Sequence, residues 1–139
     1  MGALILYVNL NMETKTTFAP MLIIPNGLTD VSFYAKAFGA IELRRFSNDD
    51  GSIHVVEFDL NGAIFHLHEQ WETKLVSPHK AGASTVSVNI FVDDVDAVIA
   101  QAVAAGAKVT SPVQDFDYGY RQGDIIDVFG HCWQIQKKI

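Results

Sequence analysis

The feature that most constrains this chain is a repeated order of strand, turn, helix and strands. Residues 21–42 align without a gap on residues 88–109, so that Ile23 meets Ile90 and Ala35 meets Ala102. A Gly-Ala pair ends the helical pattern in both copies. Any two amphipathic helices that end in glycine would match in part, but here strands, turns and helix ends also agree in order. We interpret the agreement as an internal repeat of two βαβββ modules.

Local signals define the first module. Residues 21–24 form a short apolar run that stops at a Pro-Asn-Gly turn. The apolar spacing that starts at Leu28 predicts a helix with Thr29 or Asp30 as its N-cap and Gly39 as its C-cap. Strands are predicted at residues 41–46, 54–60 and 63–68, joined by Asp-Gly and Asn-Gly hairpin turns.

The second module repeats these signals after a long connection. A strand at 86–92 precedes a helix at 95–105, which Asp93 or Asp94 caps. Strands follow at 108–111, 123–127 and 131–136. We therefore divide the chain into an N-terminal extension (1–17), a first module (18–70), a connection (71–85) and a second module (86–139), which together form one domain. The predicted fold class is α+β, with two curved mixed sheets around a cleft.

The composition limits the partners. Hydrophobic residues make up 49% and charged residues 19%, which is typical of a packed globular domain. The formal net charge of −6, without a basic stripe, argues against nucleic acid or an anionic membrane as a partner. The apolar start of the chain is too short to cross a bilayer. A single cysteine, Cys132, excludes an intrachain disulfide, so we expect a reducing cytoplasm and a buried, inert thiol.

Three motifs carry a resemblance to a known superfamily. They are FYAKAFGA at 33–40, VDDVDAVIAQAVAAGAKV at 92–109 and YGYRQGDIIDVFGHCWQIQKK at 118–138. The pattern over residues 18–138 resembles the vicinal oxygen chelate superfamily, which contains glyoxalase I, bleomycin-resistance proteins and extradiol dioxygenases, and within it a PhnB-like branch. The resemblance implies paired βαβββ modules and a homodimer.

The resemblance also implies where a metal would bind. In metal-bearing members, the first and last strand of each module supply His, Glu or Gln ligands. Carried onto this sequence, those positions hold Ala19, Pro20 or Met21, then His66, then Ser87 or Asn89, and finally Gln134. His66 is a good ligand and Gln134 a weak one, whereas a tight site needs three or four donors. We expect no metal, although His54, His66 and His68 remain an alternative set.

Two histidines on one strand mark the first half of the expected cleft. His66 and His68 lie two residues apart, so both point to one face of the sheet and line the cleft or chelate a metal. Trp71, at the start of the connection, is a candidate cleft wall or dimer anchor. Glu57 lies in an apolar strand and acts as a base or points to solvent.

The C-terminal segment supplies the other half. We expect Arg121, Trp133, Gln134 and Tyr118 in the cleft, because a guanidinium beside aromatic rings suits a carboxylate or a planar polar ligand. An equal alternative for Arg121 is a structural salt bridge to Asp117, Asp124 or Asp127.

These features predict a protein that binds a small molecule in its cleft without a cofactor. The alternative is a lyase or dioxygenase of the glyoxalase type that depends on a divalent metal. A third possibility is a dimeric interaction protein whose own side chains fill the cleft. The number of metal ligands distinguishes the first two.

Overall fold

A computed structural model describes residues 15–71 and 73–139. Most of the expected N-terminal extension therefore lies outside the described residues. The first module contains β1 (Met21–Ile24), α1 (Phe33–Phe38), β2 (Ile41–Ser47), β3 (Ile53–Leu60) and β4 (Ala63–Glu69). The connection contains a short helix, α2 (Pro78–Ala81). The second module contains β5 (Ser87–Phe91), α3 (Val95–Ala104), β6 (Lys108–Phe116), β7 (Tyr120–Ile126) and β8 (Cys132–Lys138).

The two modules have the same topology. Sheet one has the strand order β1-β4-β3-β2, and sheet two has the order β5-β8-β7-β6. In each sheet the first strand pairs in parallel with the last, and the other neighbours are antiparallel. The equivalent parallel pairs place Met21 opposite His66 and Asn89 opposite Gln134. The predicted α+β fold of two βαβββ modules is confirmed.

The helix ends follow local chemistry. The Asp94 carboxylate accepts a hydrogen bond from the Ala97 amide at 3.0 Å, which confirms its predicted role as N-cap of α3. Gly39 closes α1 with a φ of 72°, where a side chain would be strained. Helix α1 begins later than the spacing predicted, because Asp30 accepts from the Ser32 amide at 2.9 Å and holds the preceding residues in a turn.

One hydrophobic core joins the two modules. The ring of Tyr34 on α1 lies 5.3 Å from that of Phe65 in its own module. It also lies 6.1 Å from Phe129 and 5.8 Å from Trp133 in the other module. Each sheet therefore buries its helix-side face in a shared core. Among the described residues, no helix is long and apolar enough to span a membrane.

The carboxylate of Asp127 ties the modules together at the centre of this core. One oxygen accepts from the Tyr34 hydroxyl at 2.6 Å and the Trp133 indole at 2.9 Å. The other accepts from the amides of Phe129 at 2.8 Å and His131 at 3.0 Å. Both oxygens accept hydrogen bonds, so four donors hold the carboxylate in one position. Burial raises the pKa of Tyr34 well above its ordinary value, and the charge of Asp127 raises it further, so the hydroxyl remains a donor.

A second polar contact fastens α3 to sheet two. Arg121 on β7 donates from Nε to Asp96 Oδ2 and from Nη2 to Asp96 Oδ1, both at 2.9 Å. Its remaining amino group, Nη1, donates to Asp115 on β6 at 2.9 Å. The hydrogen bond from Arg121 lowers the pKa of Asp96. The guanidinium thus bridges the helix and the outer strand of the sheet.

Replacing Asp127 is expected to destabilise the whole fold. Asp127→Ala leaves four buried donors without an acceptor and should lower the free energy of unfolding by about 3 kcal/mol or more. Tyr34→Phe removes one donor and should cost about 1 kcal/mol. Urea unfolding followed by tryptophan fluorescence measures both. The exposed turn variant Asp117→Ala is the control, and a stability of Asp127→Ala equal to that control would contradict the assignment.

Replacing Arg121 is expected to cost stability in a pH-dependent way. Asp96 has a lower pKa in the folded chain than in the unfolded chain, so its contribution is complete above about pH 3.9 and disappears as the pH falls below that value. Arg121→Ala should therefore lower the urea midpoint at pH 7 and differ little from the wild type in strong acid. Arg44→Ala, which removes a guanidinium from the other sheet, is the matched control. Equal midpoints for the two variants at pH 7 would refute the role of Arg121.

Candidate functional site

Each sheet keeps one face outside the shared core. We call the face opposite the helices the open face. Strand alternation and register place these side chains on the open face of sheet one: Met21, Arg44, Phe46, Val55, Glu57, His66 and His68. The same criteria place these on the open face of sheet two: Ser87, Asn89, Phe91, Tyr120, Gln122, Asp124, Gln134 and Gln136.

A histidine–carboxylate pair occupies the middle of the first open face. His66 Nε2 lies 2.9 Å from Glu57 Oε2, and Arg44 Nη2 lies 3.6 Å from the same oxygen. The hydrogen bond from His66 lowers the pKa of Glu57, and the charge of Arg44 lowers it further. The carboxylate of Glu57 accepts this hydrogen bond, and His66 Nε2 donates it. The pair lies in a depression of about 170 Å³ that Met21, Phe46 and Val55 also line.

The second histidine has different partners. His68 donates from Nδ1 to the carbonyl oxygen of Glu69 at 2.6 Å. Its ring stacks on Trp71 at 6.0 Å and meets the edge of His54 at 4.8 Å. Trp71 is 55% exposed, so this stack presents an aromatic surface beside the open face. His66 and His68 share a face, as the sequence predicted, but they are held by separate contacts.

Sheet two carries uncharged amides instead. Gln122 donates from Nε2 to Gln136 Oε1 at 2.5 Å and to Gln134 Oε1 at 3.3 Å. Its own oxygen accepts a hydrogen bond from the Tyr118 hydroxyl. Gln122 thus holds both neighbouring glutamines and the tyrosine in one hydrogen-bonded group.

Aromatic rings border this group. The Tyr118 ring stacks on Phe116, with centroids 5.2 Å apart and planes 22° apart. Tyr120 lies 5.8 Å from Tyr118, and Phe91 lies 6.0 Å from Tyr120. Tyr118 is 62% exposed, so much of its ring is accessible beside the glutamines.

Two expected cleft residues lie on the helix side of sheet two. Trp133 is 1% exposed, and its indole nitrogen donates to Asp127. Arg121 forms the salt bridges to Asp96 and Asp115 described above. A structural salt bridge was one of the two interpretations of Arg121, although its partners are not those expected. Both side chains stabilise the fold and do not reach the open face. Residues 121 and 133 alternate in step with the core positions of their strands, so their side chains point towards the helices.

The other five candidates divide between the sheets. His66 and His68 lie on sheet one with Trp71 beside it, whereas Gln134 lies on sheet two with Tyr118 beside it. No hydrogen bond or ring contact joins these two sets within residues 15–71 and 73–139. Sequence reasoning missed several open-face residues, among them Arg44, Phe46, Gln122 and Gln136. The alternation of side chains along β8 would have indicated Gln136 once Gln134 was chosen. The positions of Gln122 and Arg44 beside the other site residues depend on strand register, which the sequence does not show.

Within the described residues of one chain, the donor set for a divalent metal is incomplete. The four positions implied by the resemblance hold Met21, His66, Ser87 or Asn89, and Gln134. In the described part of the chain, no three His, Cys, Asp or Glu side chains come together in a way that could hold a metal ion. The alternative set of His54, His66 and His68 does not form such a group either. Residues 15–71 and 73–139 of a single chain therefore do not fit a divalent metal.

Comparison with known proteins agrees with this architecture. The family model of the Glyoxalase/Bleomycin resistance protein/Dioxygenase superfamily matches residues 29–135. An uncharacterised protein of Mycobacterium tuberculosis strain H37Rv is 30% identical over 132 residues, which cover 92% of this chain and 78% of the relative.

Solved structures show the same fold. A gene product of Arabidopsis thaliana superposes with a TM-score of 0.69 at 29% identity, over 88% of this chain and 98% of that chain. TioX from Micromonospora sp. ML1 superposes with a TM-score of 0.63 at 26% identity, over 88% of this chain and 100% of that chain. Together with the match over residues 29–135, these similarities show that the chain belongs to the Glyoxalase/Bleomycin resistance protein/Dioxygenase superfamily.

Proposed function

We propose that the protein binds a small molecule on the open faces of its sheets without a metal ion, and that two copies pair to complete the site. The observation that carries the proposal is the division of side chains between the two sides of each sheet. The helix sides are packed and hydrogen-bonded inside one core, whereas His66, His68 and Gln134 lie on faces that the fold leaves free. Polar groups beside aromatic surfaces are typical of ligand sites.

Exposed apolar side chains support pairing with a second copy. Met21 and Phe46 on the first open face are 48% and 51% exposed, and Phe91 on the second is 61% exposed. Apolar side chains that stand on a polar sheet face favour a partner that covers them. A second copy that brings sheet two of one chain over sheet one of the other would enclose His66 and Gln134 in one cleft.

The donor set supports binding without a metal. Of the positions implied by the superfamily, one holds a good metal ligand, His66, and one a weak ligand, Gln134. The other two hold Met21 and either Ser87 or Asn89, which coordinate a divalent metal poorly. The Nε2 atom of His66 is also engaged by Glu57 at 2.9 Å. A metal-dependent lyase or dioxygenase is the competing proposal, and it requires ligands from both subunits.

Metal analysis separates the two proposals. We expect protein purified without a histidine tag to contain far less than one metal ion per chain. Titration with nickel, zinc, manganese and iron(II) should give no tight uptake. Stoichiometric metal that is lost in His66→Ala would refute the metal-free proposal. The matched control is His79→Ala, which removes an imidazole from α2.

Sedimentation equilibrium tests the pairing. We expect a mass twice that of the 15.3 kDa chain. Phe46→Asp places a charge on the first open face and should shift the protein towards the monomer. Val103→Asp changes an apolar residue of similar exposure on α3 and should leave the mass unchanged. A monomeric wild type, or an identical response of both variants, would contradict the proposed pairing.

Ligand screening by thermal shift completes the test. A compound that binds the native state raises the midpoint of unfolding, by an amount that grows with its concentration. We expect to find compounds that raise the midpoint of unfolding of the wild type. The rise should be smaller in Gln134→Ala and in His66→Ala. Asp117→Ala serves as the control because Asp117 lies in an exposed turn. If no compound shifts the midpoint, the binding proposal fails.

A further inference from the structure

A groove of about 460 Å³ lies where β1, the connection and the second module meet. We call it the inter-module groove. Residues 20–23 form one wall, connection residues between 75 and 86 form another, and Val88 and His131 come from the second module. Its volume is within the range of about 300–1,000 Å³ that is usual for small-molecule sites.

The connection forms a fixed wall of this groove. Ser77 is buried, its amide donates to Gln70 Oε1 at 3.0 Å, and its hydroxyl accepts from the Lys80 amide at the start of α2. Helix α2 also packs against the turn before β8, because a β-carbon at Gly130 would lie 2.9 Å from Pro78 Cβ. The groove is therefore built into the fold by contacts between the connection and both modules.

The imidazole of His131 borders the groove and is 9% exposed. Its Nε2 donates to the carbonyl oxygen of Ile23 at 2.7 Å, so Nδ1 of the neutral ring is an acceptor. Nδ1 makes no hydrogen bond within residues 15–71 and 73–139. Among those residues, Asp124 Oδ1 is the only enclosed side-chain polar atom without a partner, so Nδ1 remains accessible.

The rest of the lining is aliphatic and uncharged. Met21, Leu75 and Val86 are 48%, 42% and 68% exposed, so an apolar molecule in the groove would remove their surface from water. No Phe, Tyr or Trp is among the described lining residues, so the groove offers no ring for stacking. No Asp, Glu, Lys or Arg is among them either, so a charged group would lose its hydration without a counter-charge.

We propose that the inter-module groove binds a neutral aliphatic molecule with a hydroxyl head group, such as a medium-chain alcohol. The O–H group donates to His131 Nδ1, and the chain lies against the aliphatic side chains of β1 and the connection. The hydroxyl keeps a hydrogen bond as it leaves water, and the imidazole gains a second partner. This site uses neither His66 nor Gln134 and is independent of the binding function proposed for the open faces.

Three probes of similar length test the ligand class. Pentyl methyl ether is an isomer of 1-hexanol without an O–H group, and hexanoate carries a carboxylate in place of the hydroxyl. We expect NMR titration of the full chain with 1-hexanol to shift the amide signals of residues 21–23, 83–88 and 131. The ether should bind at the same residues about fivefold more weakly, and hexanoate more weakly again.

Two results of this titration would overturn the proposal. One is equal affinity for 1-hexanol and the ether, which would show that no acceptor receives the hydroxyl. The other is the absence of shifts at residues 21–23, 83–88 and 131.

A substitution at His131 tests the hydrogen bond. His131→Gln keeps an N–H donor for the Ile23 carbonyl oxygen and removes Nδ1. The affinity for 1-hexanol should fall to that of the ether, while the affinity for the ether should stay unchanged. A persistent preference of His131→Gln for the alcohol would refute the role of the imidazole.

A variant at an exposed position tests the groove without disturbing the core. Ala83→Phe places a ring among the lining residues and should abolish the binding of 1-hexanol and the ether. Ala104→Phe, an equivalent change at an exposed alanine of α3, is the control and should bind both probes normally. His66→Ala and Gln134→Ala should also bind them normally, which separates this site from the open faces. Unchanged binding of 1-hexanol in Ala83→Phe would overturn the proposal.

Discussion

The arrangement of both modules depends on the buried carboxylate of Asp127. Its oxygens receive the Tyr34 hydroxyl from the first module, the Trp133 indole from the second, and the amides of Phe129 and His131. A buried charge is tolerated only when donors surround it, so these four hydrogen bonds fix the position of α1 against the last hairpin. Tyr34 and Trp133 then become the centre of an aromatic core in which the two helix sides meet.

Because the helix sides share that core, the remaining faces are free for other chemistry, and the two faces differ. Sheet one presents an imidazole–carboxylate pair, His66 and Glu57, with Arg44 beside it. Sheet two presents neutral amides, an exposed tyrosine and one unpartnered carboxylate oxygen. Two modules of the same topology thus carry two different surfaces.

Much of the fold follows from local patterns in the sequence. The apolar spacing and the caps at Gly39 and Asp94 placed both modular helices, and the alternation around His66 placed both histidines on one face. The start of α1 was predicted too early, because a turn held by Asp30 keeps the preceding apolar residues out of the helix. Strand register decides which open-face residues of neighbouring strands lie side by side, such as Gln122 beside Gln136 and Arg44 beside Glu57. Residue types alone do not reveal this register.

The sequence by itself determined the repeat and the element order, and it determined which residues of a strand share a face, since these depend on turn chemistry and on alternation along the chain. Only the tertiary structure decided which of the two faces of each strand meets the helices. At Gly123 a β-carbon would lie 2.4 Å from Ile99 Cδ1, so α3 packs closely against β7 at this residue. That contact puts Arg121 and Ile125 on the helix side and leaves Gln122 and Asp124 on the open face. Side-chain types cannot indicate this choice, because it depends on how closely a helix from elsewhere in the chain approaches the sheet.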